Sequence, residues 1–339
     1  SNDIPAIEIP NLEVKKLIYL YIINNSKHCP EDSLMIINQF CKDAKDKRPL
    51  IRALAIRTMG YLRVPKLNEY LIDPLIEALK DDSAYVRKTA VMCVPKVLEI
   101  SKAALVSKNI ISLLYEMLSC EENSSVLSTI LSVLDQSSAI LDVNLTIENK
   151  LILKLLDHMK GYNDIEAVYV MDIVSNYLEN EFKNEVNENE NNQFINILHN
   201  IILPRLRHSS FSNIMSSARL AIIIINSLKF DSNRRIEVYD KISNSIPLLL
   251  NKKEEFDFII LSFILRYIKE FSFKTLSHSY FYCLQEDSLN IRFLKLEIIQ
   301  NLEKYESIEN LIYEITSYFN SSQIEFSLKA IDTLFNIIE

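Results

Sequence analysis

Charged side chains recur in this chain at spacings that suit either anion recognition or the locking of one helix to the next. In "DKRPLIRALAIRTMG" (residues 46–60), Arg52 follows a proline and a branched aliphatic residue. In "DDSAYVRKTAVMCV" (residues 81–94), Arg87 stands in the same place, and near the C-terminus Ile291–Arg292 repeats the pair. Two chemistries fit. A row of arginines binds anions; alternatively, each arginine bonds an acidic residue or carbonyl of the adjacent repeat and sets the stacking register. Recurrence in phase with the repeat favours the second, so Arg52 and Arg87 are read as repeat-register residues. Within residues 42–66, Lys42, Lys45, Lys47, Arg48, Arg52, Arg57, Arg63 and Lys66 are set against only Asp43 and Asp46, a local charge of +6. Lys42, Lys45, Lys47 and Arg48 form a candidate membrane-facing patch, since an anionic surface attracts each well-placed cation by about 1 kcal/mol. A solvated helix face whose cations pair within the fold is the plainer account.

Other chemistry finds little support. The five histidines (His28, His158, His199, His208 and His278) show no i,i+4 pairing and no H-E-x-x-H. His28–Cys29 is the one neighbouring His/Cys pair. The chain has only two glycines, Gly60 and Gly161, so nucleophile elbows, phosphate loops and dinucleotide fingerprints lack the residue that their tight turns require. Paired carboxylates such as Asp81–Asp82 and Glu121–Glu122 sit at helix starts, where they complement the helix dipole. No catalytic, cofactor-binding or metal-ligating set emerges, and the chain is not read as an enzyme. Cys29, Cys41, Cys93, Cys120 and Cys283 are odd in number and contain no C-x-x-C, which reads as reduced thiols in a cytoplasmic protein.

The elements that position these residues are helices. Apolar residues recur every three or four positions, which predicts seventeen helices between residues 12 and 338, joined by short polar connections. Leu17, Leu20 and Tyr21 are expected on one helix face, and Leu34, Ile37 and Cys41 on the next. In "LIDPLIEAL", Asp73 is expected as an N-cap and Pro74 in the first helical turn. Pro95 lies within a helical pattern and is expected to kink or break it. Ile51, Ala55, Met59 and Leu62 form a stripe that Val86, Ala90, Val94 and Val97 match position by position. Weaker copies follow at "CEENSSVLSTILSVL" and "QEDSLNIRFLKLEIIQNL". A helical hairpin that cannot bury its own apolar face needs neighbours, so the unit repeats. The fold class is therefore all-α, a HEAT/armadillo-like α-solenoid of stacked antiparallel helical hairpins. The expected organisation is a single solenoid over residues 1–339, cut at both ends, with an Asn-rich flexible loop at about 180–193.

Charge narrows the partners. The net charge is −8; the first hundred residues carry 15 Lys/Arg against 13 Asp/Glu, and the remainder is acidic. Without a broad basic face to displace counterions, nucleic acid is not an expected partner. The longest aliphatic run, Leu220–Ile225, is far too short to span a membrane.

The phrases "NLEVKKLIYLYI", "PLIRALAIRTMGYLRVPKLNEYLIDPL" and "LKDDSAYVRKTAVMCVPKV" resemble the trunk of beta-adaptins, the large beta subunits of heterotetrameric vesicle-coat adaptor complexes. The resemblance is strongest over residues 11–100 and continues in "DIEAVYVMDIVSNYL" and "LPRLRHSSFSNIMSSARLAI". "NLEVKKL" and "RTMG" are similar to the subunits of the first and second complexes, and "LRVPKLNEYL" is closer to the subunit of the fourth. The resemblance implies a structural scaffold in vesicle-mediated intracellular protein transport, without cofactor or small-molecule substrate. It implies as partners the medium, small and second large adaptor subunits and an Arf-type GTPase. Location would be cytoplasmic, peripheral on Golgi, trans-Golgi or endosomal membranes through the complex. Carried over, the GTPase contact falls on Leu34, Ile37 and Asn38; the alternative is that Leu34 and Ile37 face the next hairpin. Another HEAT-repeat scaffold, of the nuclear-transport or phosphatase type, is the competing reading.

Overall fold

The computed structural model describes residues 11–25, 30–62, 68–100, 109–142, 146–181, 188–228, 232–246, 249–268, 278–301 and 308–338. Among these residues there is no strand, and sixteen α-helices follow one another along the chain. Two compact units divide them, residues 1–177 and 178–339.

The first unit opens with α1 (Leu12–Asn25), α2 (Pro30–Asp43), α3 (Pro49–Tyr61), α4 (Asn68–Leu79) and α5 (Ala84–Ile100). It continues with α6 (Ile110–Cys120), α7 (Ser124–Leu141), α8 (Asn149–Asp157) and α9 (Asp164–Glu181), the boundary between units falling inside α9. Odd-numbered helices stack in a row: α1 on α3, α3 on α5, α5 on α7, with α2 and α4 packed against α3 and α5. The two matched stripes form the inside of that row. Ile51, Ala55, Met59 and Leu62 are buried, as are Val86, Ala90, Val94 and Val97. Gly60 allows the close approach of α3 and α5, because a Cβ there would lie 2.9 Å from Cys93 Sγ. Helix α7 is long and apolar enough by composition to cross a membrane, yet Val126, Leu127, Ile130, Leu131 and Leu134 are buried within this unit. Its apolarity serves the two sides on which it is packed, against α5 and α6.

The second unit contains α10 (Glu188–Ile197), α11 (Phe211–Ser227), α12 (Ser232–Ser245), α13 (Glu254–Arg266), α14 (Leu289–Asn301), α15 (Ile308–Ser317) and α16 (Ile324–Ile338). Helix α10 runs into a π-helical turn, Leu198–Ile202, and then a 3-10 turn, Leu203–Arg207, that packs on α11. Helix α14 lies between α13 and α16. Helix α11 is the most deeply buried; Ile214, Ala218, Leu220–Ile225 and the small Ser216 and Ser217 all lie inside.

Helix ends show how a chain with so little glycine turns corners. The three described residues with left-handed backbone are Asn109, Asp142 and Asn251, at φ 51°, 56° and 60°. Their short polar side chains tolerate that region better than other non-glycine residues do. Helix α7 starts at an Asn123 cap, whose Oδ1 accepts from the Val126 N–H at 3.2 Å. Helix α9 starts with a reciprocal pair: Asn163 Oδ1 accepts from the Glu166 N–H, and Glu166 returns a carboxylate oxygen to the Asn163 N–H.

Three local expectations are corrected. Asp73 and Pro74 lie in the middle of α4 rather than at its start, because the stripe Leu71, Ile72, Leu75, Ala78 and Leu79 holds one continuous helix through the proline. Pro95 does not break α5, whose buried stripe continues past it through Val97 and Leu98. The Asn-rich stretch expected as a loop at about 180–193 is helical at its edges: α9 extends to Glu181 and α10 begins at Glu188, with 182–187 outside the described residues. Burial of Phe194, Ile197 and Leu198 anchors one face of that segment, which leaves asparagines and glutamates for the other. The seventeenth helix that apolar spacing predicts, at 274–285, is represented among the described residues only by a 3-10 turn, His278–Phe281.

Candidate functional site

Arg52 and Arg87 make the same contacts one repeat apart. Arg52 Nε and Nη2 donate to the two carboxylate oxygens of Asp81 at 2.7 and 2.8 Å, while Nη1 donates to the carbonyls of Asp46 and Lys47. Arg87 donates to Glu121 at 2.7 and 2.8 Å and to the carbonyls of Asp81 and Asp82. Each guanidinium thus ties the loop before its own helix to the loop that opens the next repeat. The receiving carboxylates also serve that next loop. Asp81 accepts from the Ser83 N–H, and Glu121 from the N–H groups of Glu122 and Asn123. Burial pushes both carboxyls upward. The arginine hydrogen bonds and the backbone N–H groups outweigh it and hold Asp81 and Glu121 below their ordinary range.

The ladder changes form as the repeat degenerates. At Arg87's place in the third repeat stands Leu127, which is buried. There Lys88 of α5 and Ser125 of α7 both donate to Glu166 Oε1 of α9, at 3.1 and 2.7 Å, and join three helices through one carboxylate. In the second unit Arg292 donates to the Gln285 carbonyl at 2.7 Å and to Gln323 at 3.4 Å, an amide where the first repeats place an acid. No sequence reading singled out Lys88, Ser125 and Glu166; a repeat alignment marking the missing arginine is the signal that leads to them.

The N-terminal hairpins hold the candidate docking residues. Ile37 is buried, Asn38 is exposed, and the side chain of Leu34 lies outside the described residues. Lys45 pairs with Glu77 and Arg48 with Asp46; Lys42 and Lys47 are exposed. Arg63 and Lys66 lie outside the described residues. The +6 of residues 42–66 is therefore partly matched within the fold.

Helix α1 does place Leu17, Leu20 and Tyr21 on one face, and that face is turned outward. Leu17, Leu20 and Tyr21 are exposed, Leu17 and Tyr21 by 67% and 68%. The buried face is Lys15, Tyr19 and Ile22. Lys15 reaches Asp43 at 2.5 Å, Tyr19 donates its hydroxyl to the same carboxylate, and Gln39 donates to the other oxygen at 3.0 Å. The Tyr19 ring packs edge-on against Phe40 at 4.8 Å. The buried charge pair thus holds the Lys15–Tyr19 face inward and leaves the apolar stripe outward. Beside it, between α1 and α3, lies a cleft of about 350 Å³ lined by Leu20, Ile23, Leu54, Arg57 and Tyr61 among others.

Cysteine and histidine form no reactive centre among the described residues. Burial pushes the Cys93 thiol up to about 11 and Cys283 up to about 12, so both stay protonated at neutral pH. No group of three or more His, Cys, Asp or Glu residues is gathered for a metal ion among the described residues. His28 and Cys29 lie outside them.

Comparison with known proteins places this geometry in context. The family model described as "Adaptin N terminal region" matches residues 4–339. The chain is 28% identical over 334 residues to the mouse AP-1 complex subunit beta-1, covering 96% of this chain and 34% of that protein. It is 29% identical over 328 residues to the Dictyostelium discoideum AP-1 complex subunit beta, again covering 96% and 34%. The chain therefore spans about a third of the length of these relatives. Among solved structures, a Kap121p mutant is similar at TM-score 0.42 and 10% identity, covering 98% of this chain and 48% of that one, too loosely to bear on function.

Proposed function

Because the chain belongs to the adaptin family through its N-terminal region, we propose that it is the trunk of a beta subunit and works as a scaffold in a heterotetrameric vesicle-coat adaptor complex. The family match over nearly the whole chain carries this reading. The physical character of the molecule agrees with it. Helical hairpins locked in register by the Arg52 and Arg87 ladders make a firm support, and the exposed stripe of α1 offers apolar area to a partner. The partners are the medium, small and second large subunits. Leu17, Leu20 and Tyr21 meet one of them, with an apolar side chain seated in the adjoining cleft. An Arf-type GTPase docks on the second helix along Leu34, Ile37 and Asn38, of which Asn38 is exposed. Lys42, Lys45, Lys47 and Arg48 face the membrane beside it. The protein works in the cytoplasm, peripheral on Golgi, trans-Golgi or endosomal membranes through the complex, and does no catalysis.

Co-expression pull-down with each medium subunit of the same organism tests the assignment. Stable capture of one names the complex, whether first, second or fourth; capture of none would sink the reading. Leu17→Ser with Tyr21→Ser should lower capture roughly tenfold while leaving the melting temperature unchanged, since exposed side chains contribute little to folding. A fall in melting temperature of many degrees would show that this stripe packs within the fold.

A further inference from the structure

The second unit contains a cleft of about 740 Å³ at the junction of the π-helical turn Leu198–Ile202 and the 3-10 turn Leu203–Arg207. Such departures from α-geometry widen or tighten the backbone locally and are frequent at functional sites. Its floor is apolar, formed by the buried Leu203, Leu206, Ile214 and Leu249. Its polar lining is basic: His199, Arg207, Lys241 and Lys252 contribute, and among the described residues no acidic side chain lines it. The surroundings reinforce this character. Residues 199–252 carry eight Lys or Arg against three Asp or Glu, in a chain whose net charge is −8. The nearby Glu237 registers the field. Its carboxyl is held below the ordinary range by the Lys241 hydrogen bond first, and by the charges of His199 and Arg234 in addition.

We propose that this cleft docks an acidic peptide segment of a protein partner, an aliphatic side chain resting on the apolar floor and its carboxylates meeting Arg207, Lys241 and Lys252. Volume, floor and charge select this occupant together. The space is that of a ligand pocket rather than of a single anion. A highly phosphorylated small molecule would want convergent permanent cations; here there are three, one of them already bonded to Glu237 at 2.6 Å, above a greasy floor. A flat bilayer surface cannot enter a concave cleft. An extended segment with one aliphatic anchor and flanking carboxylates uses every part of the lining, and Asn244 and Ser245 offer polar groups to its backbone.

Fluorescence anisotropy with a labelled glutamate-rich peptide carrying one central leucine tests the idea on the whole chain. Wild type should bind it, more weakly as salt rises. Arg207→Glu with Lys252→Glu, both exposed positions, should weaken binding at least roughly tenfold at an unchanged melting temperature. Lys329→Glu, exposed on α16, should change nothing. The same peptide with serine for leucine, or with glutamines for glutamates, should bind roughly tenfold less tightly or worse. Absence of wild-type binding, equal weakening by Lys329→Glu, or indifference to the leucine would overturn the proposal. So would saturable binding of tripolyphosphate or of phosphatidylserine vesicles at this cleft without binding of the peptide.

Discussion

At the scale of single residues, the arginine ladders and the buried ion pairs carry the specificity of stacking. Breaking one side of a bidentate pair leaves the other carboxylate in a half-dry site, so the loss exceeds that of a surface salt bridge. Arg87→Met should therefore destabilise the protein by about 2 kcal/mol in urea unfolding. A double-mutant cycle with Glu121→Gln should return a sizeable coupling, and strict additivity would mean the pair is not a unit. Lys295 is the sharper case. It is 1% exposed and donates to Asp287 at 2.7 Å and to the Tyr282 carbonyl at 3.2 Å. Lys295→Met should cost about 3–5 kcal/mol, because Asp287 loses its cation while still buried; a cost below about 1 kcal/mol would show that water replaces it. The ladder position was legible from the repeat, since Arg52 and Arg87 occupy equivalent places. Its partners were not. Nothing in a linear string marks Glu121, 34 residues on, as the acceptor for Arg87.

Among the elements, helix existence followed from periodicity, and helix ends followed from packing. Apolar spacing marked each of the sixteen described helices, most ends falling within a few residues, whereas the Asp73–Pro74 pair reads as a start where α4 is already half complete. Tertiary burial of Leu71 and Ile72 outweighs the local signal of an Asp-Pro pair. That has a consequence for Pro74. It supplies no N–H to the Tyr70 carbonyl, so Pro74→Ala restores one intrahelical bond and should raise stability by about 1 kcal/mol, seen as a higher midpoint in thermal melting. A lower midpoint would mean that the ring's packing or its stiffening of the unfolded chain dominates. Helix α1 teaches the converse lesson. Its apolar residues line up at helical spacing, and spacing cannot say which of two amphipathic faces turns inward. Lys15 inside and Tyr21 outside follow from Asp43, which waits on α2 for a cation.

For the molecule as a whole, acid is the telling perturbation. Asp46, Asp81, Glu121, Glu166 and Glu237 are all held below the ordinary carboxylate range. Their folded pKa lies below the unfolded one, so each contributes stability that is present above about pH 4–5 and is lost as pH falls through the folded value. Asp135 and Asp257 run the other way, raised by burial, and acid relieves part of their cost. Five against two among the described residues predicts a urea midpoint that is nearly level from neutral pH to about pH 5 and falls steeply below about pH 4. The Glu121→Gln variant should show a shallower fall; an unchanged slope would remove Glu121 from the account.

The sequence by itself determined an all-α fold class, that hairpins repeat, that only two glycines serve the whole chain, and which family it resembles. All four rest on composition, period and literal phrases, which a string contains. Tertiary structure alone decided which carboxylate each arginine meets, which face of α1 is exposed, that α4 and α5 run unbroken through their prolines, and that basic groups spread over residues 199–252 gather around one apolar floor. Those outcomes depend on distances between residues far apart in the chain, and such distances are set by the sum of burial and pairing over many helices rather than by any local stretch.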